Sequence, residues 1–238
     1  METVYVLPGS PDVRRAVIAF AGIQSILGGI EVWEFAKTLT SDENVEEARR
    51  HVAFVRERPA LWYNSVDPAC LAPFLAMQDG RAVVTLGNSM GGFAAILFSL
   101  VLPGIRRSIA FCPQYSVHPD HCPWERRWQD QIAEIDNWRF ETCLPHGPCP
   151  EAQDLDHMIF CGSDVGDDVR HAEAILAGAT HPVSVFLIHG CGHDVARSLK
   201  RREALVPVLD LLIDDLAPPQ HVAAELARRG IAFDLLSS

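Results

Sequence analysis

The chain has 238 residues, 48% of them hydrophobic, which fits one α/β domain with a large core. Its 31 acidic and 20 basic side chains give a net charge of −11, which argues against a nucleic-acid surface and suits a soluble cytoplasmic protein. No run of 18 apolar residues is present, so no membrane span is expected.

The amino terminus, Met1-Glu2-Thr3-Val4-Tyr5-Val6, has no basic segment followed by a hydrophobic one. It reads as an early strand over residues 3–7 rather than a signal peptide. A second apolar run, residues 16–21, ends at Gly22. Backbone N–H groups just past that glycine, that of Ile23 first, are candidate donors to an oxyanion. The plainer alternative is a tight turn that uses Gly22 for its backbone freedom. A helix over residues 31–39, a strand over 51–55 and a helix over 69–78 come next.

The apolar run of residues 82–86 leads directly into Gly87-Asn88-Ser89-Met90-Gly91, and an apolar helix over residues 90–102 leads away. Gly-x-Ser-x-Gly between a buried strand and a helix is the pattern of a nucleophile elbow. A serine hydroxyl is a poor nucleophile at neutral pH and needs a base and an anion-stabilising pocket. A sharp turn lifts the hydroxyl off the sheet and aims the helix's first N–H groups at a developing oxyanion. Ser89 is therefore the candidate nucleophile, and the N–H of Met90 the second candidate oxyanion donor.

A strand over residues 108–111 precedes a break in the rhythm. Residues 112–156 are rich in proline, carry Trp124, Trp128 and Trp138, and suggest one short helix around 125–135. The sheet does not require this insertion, so it is a candidate lid or pocket wall over the serine. Within it, Cys143-x-x-His146-x-x-Cys149 has metal-ligand residue types, but the spacing matches no familiar zinc pattern. No metal or cofactor is expected. The seven cysteines, an odd number scattered along the chain, read as free thiols in a reducing compartment.

The strand expected over residues 157–161 ends at Gly162-Ser163-Asp164, which puts Asp164 at a strand's carboxyl end, where a catalytic acid belongs. Asp167 and Asp168 open a helix over residues 167–177, where carboxylates favoured by the helix dipole are common, and Asp168 is the alternative acid. The last core strand, Val183–Ile188, is followed by Gly192-His193-Asp194. His193 can swing over the sheet edge toward Ser89 as base, with His189 as its rival. Helices over residues 194–205 and 221–229 close the chain, the latter set off by Pro218-Pro219. Strands alternating with helices predict a doubly wound, mostly parallel sheet.

The order Ser89, Asp164, His193, the Gly-x-Ser-x-Gly turn and the early strand-to-Gly22 turn resemble the α/β-hydrolase superfamily over residues 15–212. The resemblance implies a triad of Ser89, Asp164 and His193. It also implies a small-molecule acyl substrate and hydrolysis of an ester or thioester through an acyl-enzyme. Acyl transfer to another acceptor is a second reading, and a non-catalytic binding protein a third. The chain departs from the superfamily in having Ala21-Gly22 where His-Gly is frequent. It departs again in the two-residue step from Gly162 to Asp164, where three is usual; that keeps Asp168 in play. Segments 54–56, 62–64 and 113–116 are also similar to bacterial hydrolase-like proteins.

Overall fold

The computed structural model describes residues 2–9, 13–23, 26–27, 30–31, 33–41, 44–145 and 154–238. Eight strands form one sheet: β1 (Glu2–Leu7), β2 (Arg15–Phe20), β3 (His51–Glu57), β4 (Ala82–Asn88), β5 (Ile105–Phe111), β6 (Asp156–Gly162), β7 (Val183–Ile188) and β8 (Phe233–Ser237). Their spatial order is β1-β3-β2-β4-β5-β6-β7-β8. The six inner strands are parallel, and β1 and β8 pair antiparallel at the two edges. The inner strands read as apolar runs because both faces of the sheet are covered. β2 and β4 are buried over almost their whole length.

Five helices matter to the site: α1 (Met90–Val101), α2 (Gly166–Gly178), α3 (Val195–Arg201), α4 (Leu205–Ile213) and α5 (Pro219–Arg228). α1 is apolar on every side and lies in the core of one face, with Trp62, Tyr63 and Ile175. The opposite face holds Leu199 of α3, Leu209 of α4 and Leu226 of α5. No described helix is long and apolar enough to cross a membrane.

The expected order of core strands is present, with most strands longer by one or more residues. Four helical expectations are corrected. Residues 69–78 carry a 3₁₀ turn, Pro68–Leu71, followed by the short helix Ala72–Ala76. Among the described residues of 31–39 the helix is only Ala36–Leu39, because Phe35 enters it in the left-handed region (φ 63°). Ile30–Glu31 instead pairs with Ile26–Leu27. Residues 194–205 break between α3 and α4, where Glu203 has φ 54°. The helix around 125–135 is reduced to Gln129–Ile132. β8 carries no sequence signal strong enough to find; its pairing with β7 across 45 or more residues creates it.

The sheet order reverses at β2. The chain passes from β2 to β3 on one side, and β4 returns to β2's other side. Such a switch opens a crevice at the strands' carboxyl ends. The turn after β4 fills it. Ser89 has φ 56° and ψ −122°, a strained conformation for a residue with a side chain. A Cβ on Gly87 would meet Gly91 O at 2.0 Å, and one on Gly91 would meet Phe20 O at 2.2 Å. Both glycines are sterically required, because the turn is pressed against itself and against β2. Ser89 N–H donates to Phe111 O at 2.8 Å, tying the turn to β5. Gly91→Ala is therefore expected to destabilise the protein by about 1–3 kcal/mol or more. Thermal melting beside Gly104→Ala checks this, since Gly104 has nothing within 4 Å of its Cβ position but a left-handed φ of 76°. An equal or smaller loss at Gly91 would refute steric crowding at the turn.

Candidate active site

Ser89 Oγ, at the mouth of the crevice, lies 2.9 Å from Nε2 of His193. His193 stands on the loop between β7 and α3. That loop is brought in by Gly162, where a Cβ would lie 2.1 Å from Cys191 O and 2.3 Å from Gly192 O. Ser163 N–H donates to Ile188 O, and Asp164 N–H donates to Cys191 O. The Gly162-Ser163-Asp164 turn thus supports the histidine loop through its backbone.

The carboxylate that meets His193 is Asp168. Its Oδ2 is 2.7 Å from His193 Nδ1, and its side chain is fully buried. The expectation of Asp164 is corrected: its side chain is exposed and accepts the Ser163 hydroxyl at 3.0 Å. The reason is helical rotation. α2 begins at Gly166, and at 100° per residue its first turn sends Asp167 outward and Asp168 inward. The rival base is also displaced: His189 is exposed and pairs with Asp234 on β8 at 2.9 Å.

Asp168 has a second partner from the insertion. Arg127 Nη1 donates to Asp168 Oδ1 at 2.8 Å. Arg127 is held in turn by Glu125, which also takes Nε2 of His171 at 3.0 Å. His171 lies one turn after Asp168 on α2, and its Nδ1 accepts the Tyr115 N–H at 3.1 Å. Burial favours protonated carboxyls, but His193 and Arg127 together hold Asp168 below its ordinary value. Against the same burial effect, His171 and Arg127 bring Glu125 down to about 2. For His193, burial works against the charged ring, and Asp168 and the Cys112 thiol outweigh it, raising its pKa.

Glu34, Arg127 and Gln114 are site residues that the sequence reading missed. Glu34 Oε2 accepts the Gly22 N–H at 2.7 Å, and burial pushes its carboxyl up to about 7 despite that bond and one from Asn88. No local pattern marks it. Gln114 Nε2 donates to Ser89 Oγ at 3.3 Å.

The cleft over Ser89 has a volume of about 590 Å³ and is lined by Ile23, Glu34, Trp128, His193 and Arg197, among others. From the insertion, Trp128 and Gln131 reach it, with the Trp128 ring centroid 5.8 Å from that of His193. Trp124 instead packs between His171 and the guanidinium of Arg170, and Trp138 packs on His118. Met90 is buried at the first position of α1, where helix N–H groups have no intrahelical acceptor. A second, more apolar groove lies at the amino ends of β4 and β5, away from Ser89.

Among the described residues, Cys112, Asp168 and His193 are the one group of possible metal ligands. The Asp168–His193 separation of 2.7 Å is a hydrogen bond. It is shorter than the roughly 3.3 Å between two ligands on a tetrahedral zinc. His146 and Cys149 of the weighed Cys-His-Cys motif lie outside the described residues; Cys143 is buried.

No protein-family model matches the sequence, and no curated protein does. Solved structures do. The capsule O-acetyltransferase of Neisseria meningitidis serogroup A is similar at TM-score 0.62 and 14% identity, over 87% of this chain and 91% of that one. A Pyrobaculum calidifontis esterase is similar at TM-score 0.56 and 13% identity, over 92% and 86%. MenH from S. aureus is similar at TM-score 0.52 and 12% identity, over 95% and 98%. At such identities the likeness is one of fold.

If His193 is a base oriented by Asp168, its Nε2 must be unprotonated to work. Activity is then lost as pH falls through a pKa raised above that of an ordinary imidazole. Asp168→Asn removes the anionic partner, so the acid limb of kcat/KM should move to lower pH while the plateau drops about 10³–10⁴-fold. Asp164→Asn should leave both nearly unchanged. pH–rate profiles of the two variants check this, and the reverse ranking would return the acid to Asp164.

Proposed function

We propose that this chain, which has the α/β-hydrolase fold, is a serine hydrolase of esters or thioesters working through an acyl-enzyme on Ser89. One observation carries the reading: the unbroken hydrogen-bonded line from Ser89 Oγ through His193 to Asp168. His193 Nε2 takes the Ser89 proton as Oγ attacks the acyl carbon, and Asp168 holds the ring in the tautomer that allows it. The carbonyl electron pair moves onto oxygen. Its donors are the N–H groups of Met90 and Ile23. The Gly22 N–H, already bound to Glu34, leaves Ile23 as the donor from that turn. Collapse expels the alcohol or thiol, which takes the proton from His193. Water, with His193 again as base, then releases the acid.

Acyl transfer to a hydroxyl acceptor is the second reading. It is favoured by likeness to the capsule O-acetyltransferase, one structure of which is in complex with CoA. In either case the insertion walls the cleft through Trp128 and braces Asp168 through Arg127. The substrate would be a small acyl compound.

Ser89→Ala removes one oxygen from a turn, so melting should barely change while turnover falls by at least about 10³-fold. A fluorophosphonate probe should label the wild type and leave Ser89→Ala unlabelled. A wild type that resists the probe, or a variant that keeps more than about a tenth of the activity, would remove Ser89 as nucleophile. Release of CoA from acetyl-CoA, compared with and without an added alcohol, separates hydrolysis from transfer.

The tryptophans should divide. Trp128→Ala should change the preference among short and long acyl esters with little loss of melting temperature. Trp124→Ala should lower the melting temperature and leave the acyl preference as it is. An unchanged profile in Trp128→Ala would reduce the insertion to packing.

A further inference from the structure

Gln114 is fully buried, just past the end of β5, and its carboxamide has a defined orientation. The Trp62 indole N–H can only donate, and it lies 3.2 Å from Gln114 Oε1. That contact determines which end of the amide is oxygen. The amide nitrogen then faces two acceptors, Cys112 O and Ser89 Oγ, each at 3.3 Å. Trp62 is itself held firmly. It sits at φ 49° in a loop whose Leu61, Tyr63 and Ser65 N–H groups all donate to the buried carboxylate of Glu57. Its ring packs at 5.7 Å from that of Trp128.

Ser89 Oγ has a single proton. If it accepts from Gln114, that proton is free to point along the 2.9 Å contact to His193 Nε2. Resting on the reading of Ser89 as nucleophile, we infer that Gln114 is a further catalytic residue, acting on Ser89 Oγ in both halves of the reaction. In the free enzyme its N–H turns the serine proton toward the base. In the acyl-enzyme Oγ is the ester oxygen. Water adds to the acyl carbon while His193 takes a water proton. The tetrahedral intermediate then breaks its carbon–Oγ bond, the electron pair returns to Oγ, and His193 gives Oγ the proton. A donor on Oγ stabilises the charge that gathers there as it leaves. The larger effect therefore falls on deacylation. Gln114 lies beneath the serine rather than in the cleft lining, so it does not contribute to ground-state binding of the substrate.

The test uses p-nitrophenyl acetate with the wild type, Gln114→Leu and Trp62→Phe. Leucine is close to glutamine in volume and donates nothing. Trp62→Phe keeps an aromatic ring and frees the amide to rotate. Gln114→Leu should lower steady-state kcat about tenfold or more with KM no higher, while the p-nitrophenol burst slows less. Acetyl-enzyme should then accumulate and be seen by intact mass. Trp62→Phe should show the same pattern more weakly. Unchanged kcat in Gln114→Leu, or equal slowing of burst and steady state, would overturn the inference. Should Gln114→Leu fail to fold, Trp62→Phe decides by the same two rates. A wild type not labelled by fluorophosphonate would instead overturn the nucleophile reading itself.

Discussion

The buried carboxylate of Asp168 is the constraint on which the rest of the site depends. Removing such a charge from water costs several kcal/mol, and that is tolerable only where both oxygens find strong donors. One oxygen takes His193 and the other takes Arg127. Arg127 belongs to the insertion, and it is oriented by Glu125, whose other partner is His171 on the same helix as Asp168. The network closes on itself across α2. Docking of the insertion and orientation of the imidazole are thus a single electrostatic event. That ties the described part of the insertion, residues 112–145, to the carboxylate that meets His193.

Backbone crowding supplies the geometry that this network needs. Gly87 and Gly91 let the turn after β4 fold tightly against β2, and Gly162 lets the histidine loop cross the end of β6. At each position a side chain would meet backbone atoms at about 2 Å, which no rotamer change relieves. The strain at Ser89 is held by its N–H bond to Phe111 and by the apolar burial of α1 below it. A serine proposed as nucleophile benefits from such a rigid scaffold, because a fixed nucleophile loses less entropy on the way to the transition state.

The cleft is chemically uneven. Trp128 and Ile23 offer apolar surface, whereas Glu34 brings a carboxyl with a pKa near neutrality to the turn that carries the expected oxyanion donor. Burial raises it, and the Gly22 N–H and Asn88 amide only partly compensate. A group poised in this way changes charge near neutral pH, so the polarity of the cleft depends on pH from a side other than His193.

Much of this molecule was legible along the chain. Uninterrupted apolar runs marked the inner strands, because strands covered on both faces have no polar side to show. Gly-x-Ser-x-Gly marked the turn, because only glycine tolerates that crowding. His193, after the last core strand, was the histidine expected to face Ser89, and its Nε2 lies 2.9 Å from Ser89 Oγ. Contacts between distant segments left no such mark. Asp164 and Asp168 are both suitable carboxylates close together in the chain; the start of α2 at Gly166 decided between them by turning one outward and the other inward. Arg127, Gln114 and Glu34 come from separate segments; Gln114 lies in the 113–116 stretch similar to hydrolase-like proteins, but that likeness gave it no role. They reach the site because the sheet and the insertion bring those segments to the same strand ends. Sequence by itself determined the strand-turn-helix units, since these arise from steric and hydrophobic demands within a few residues. Which carboxylate meets His193, which amide meets Ser89 and which carboxyl enters the cleft were decided by tertiary structure alone, since those contacts span 25 or 12 positions.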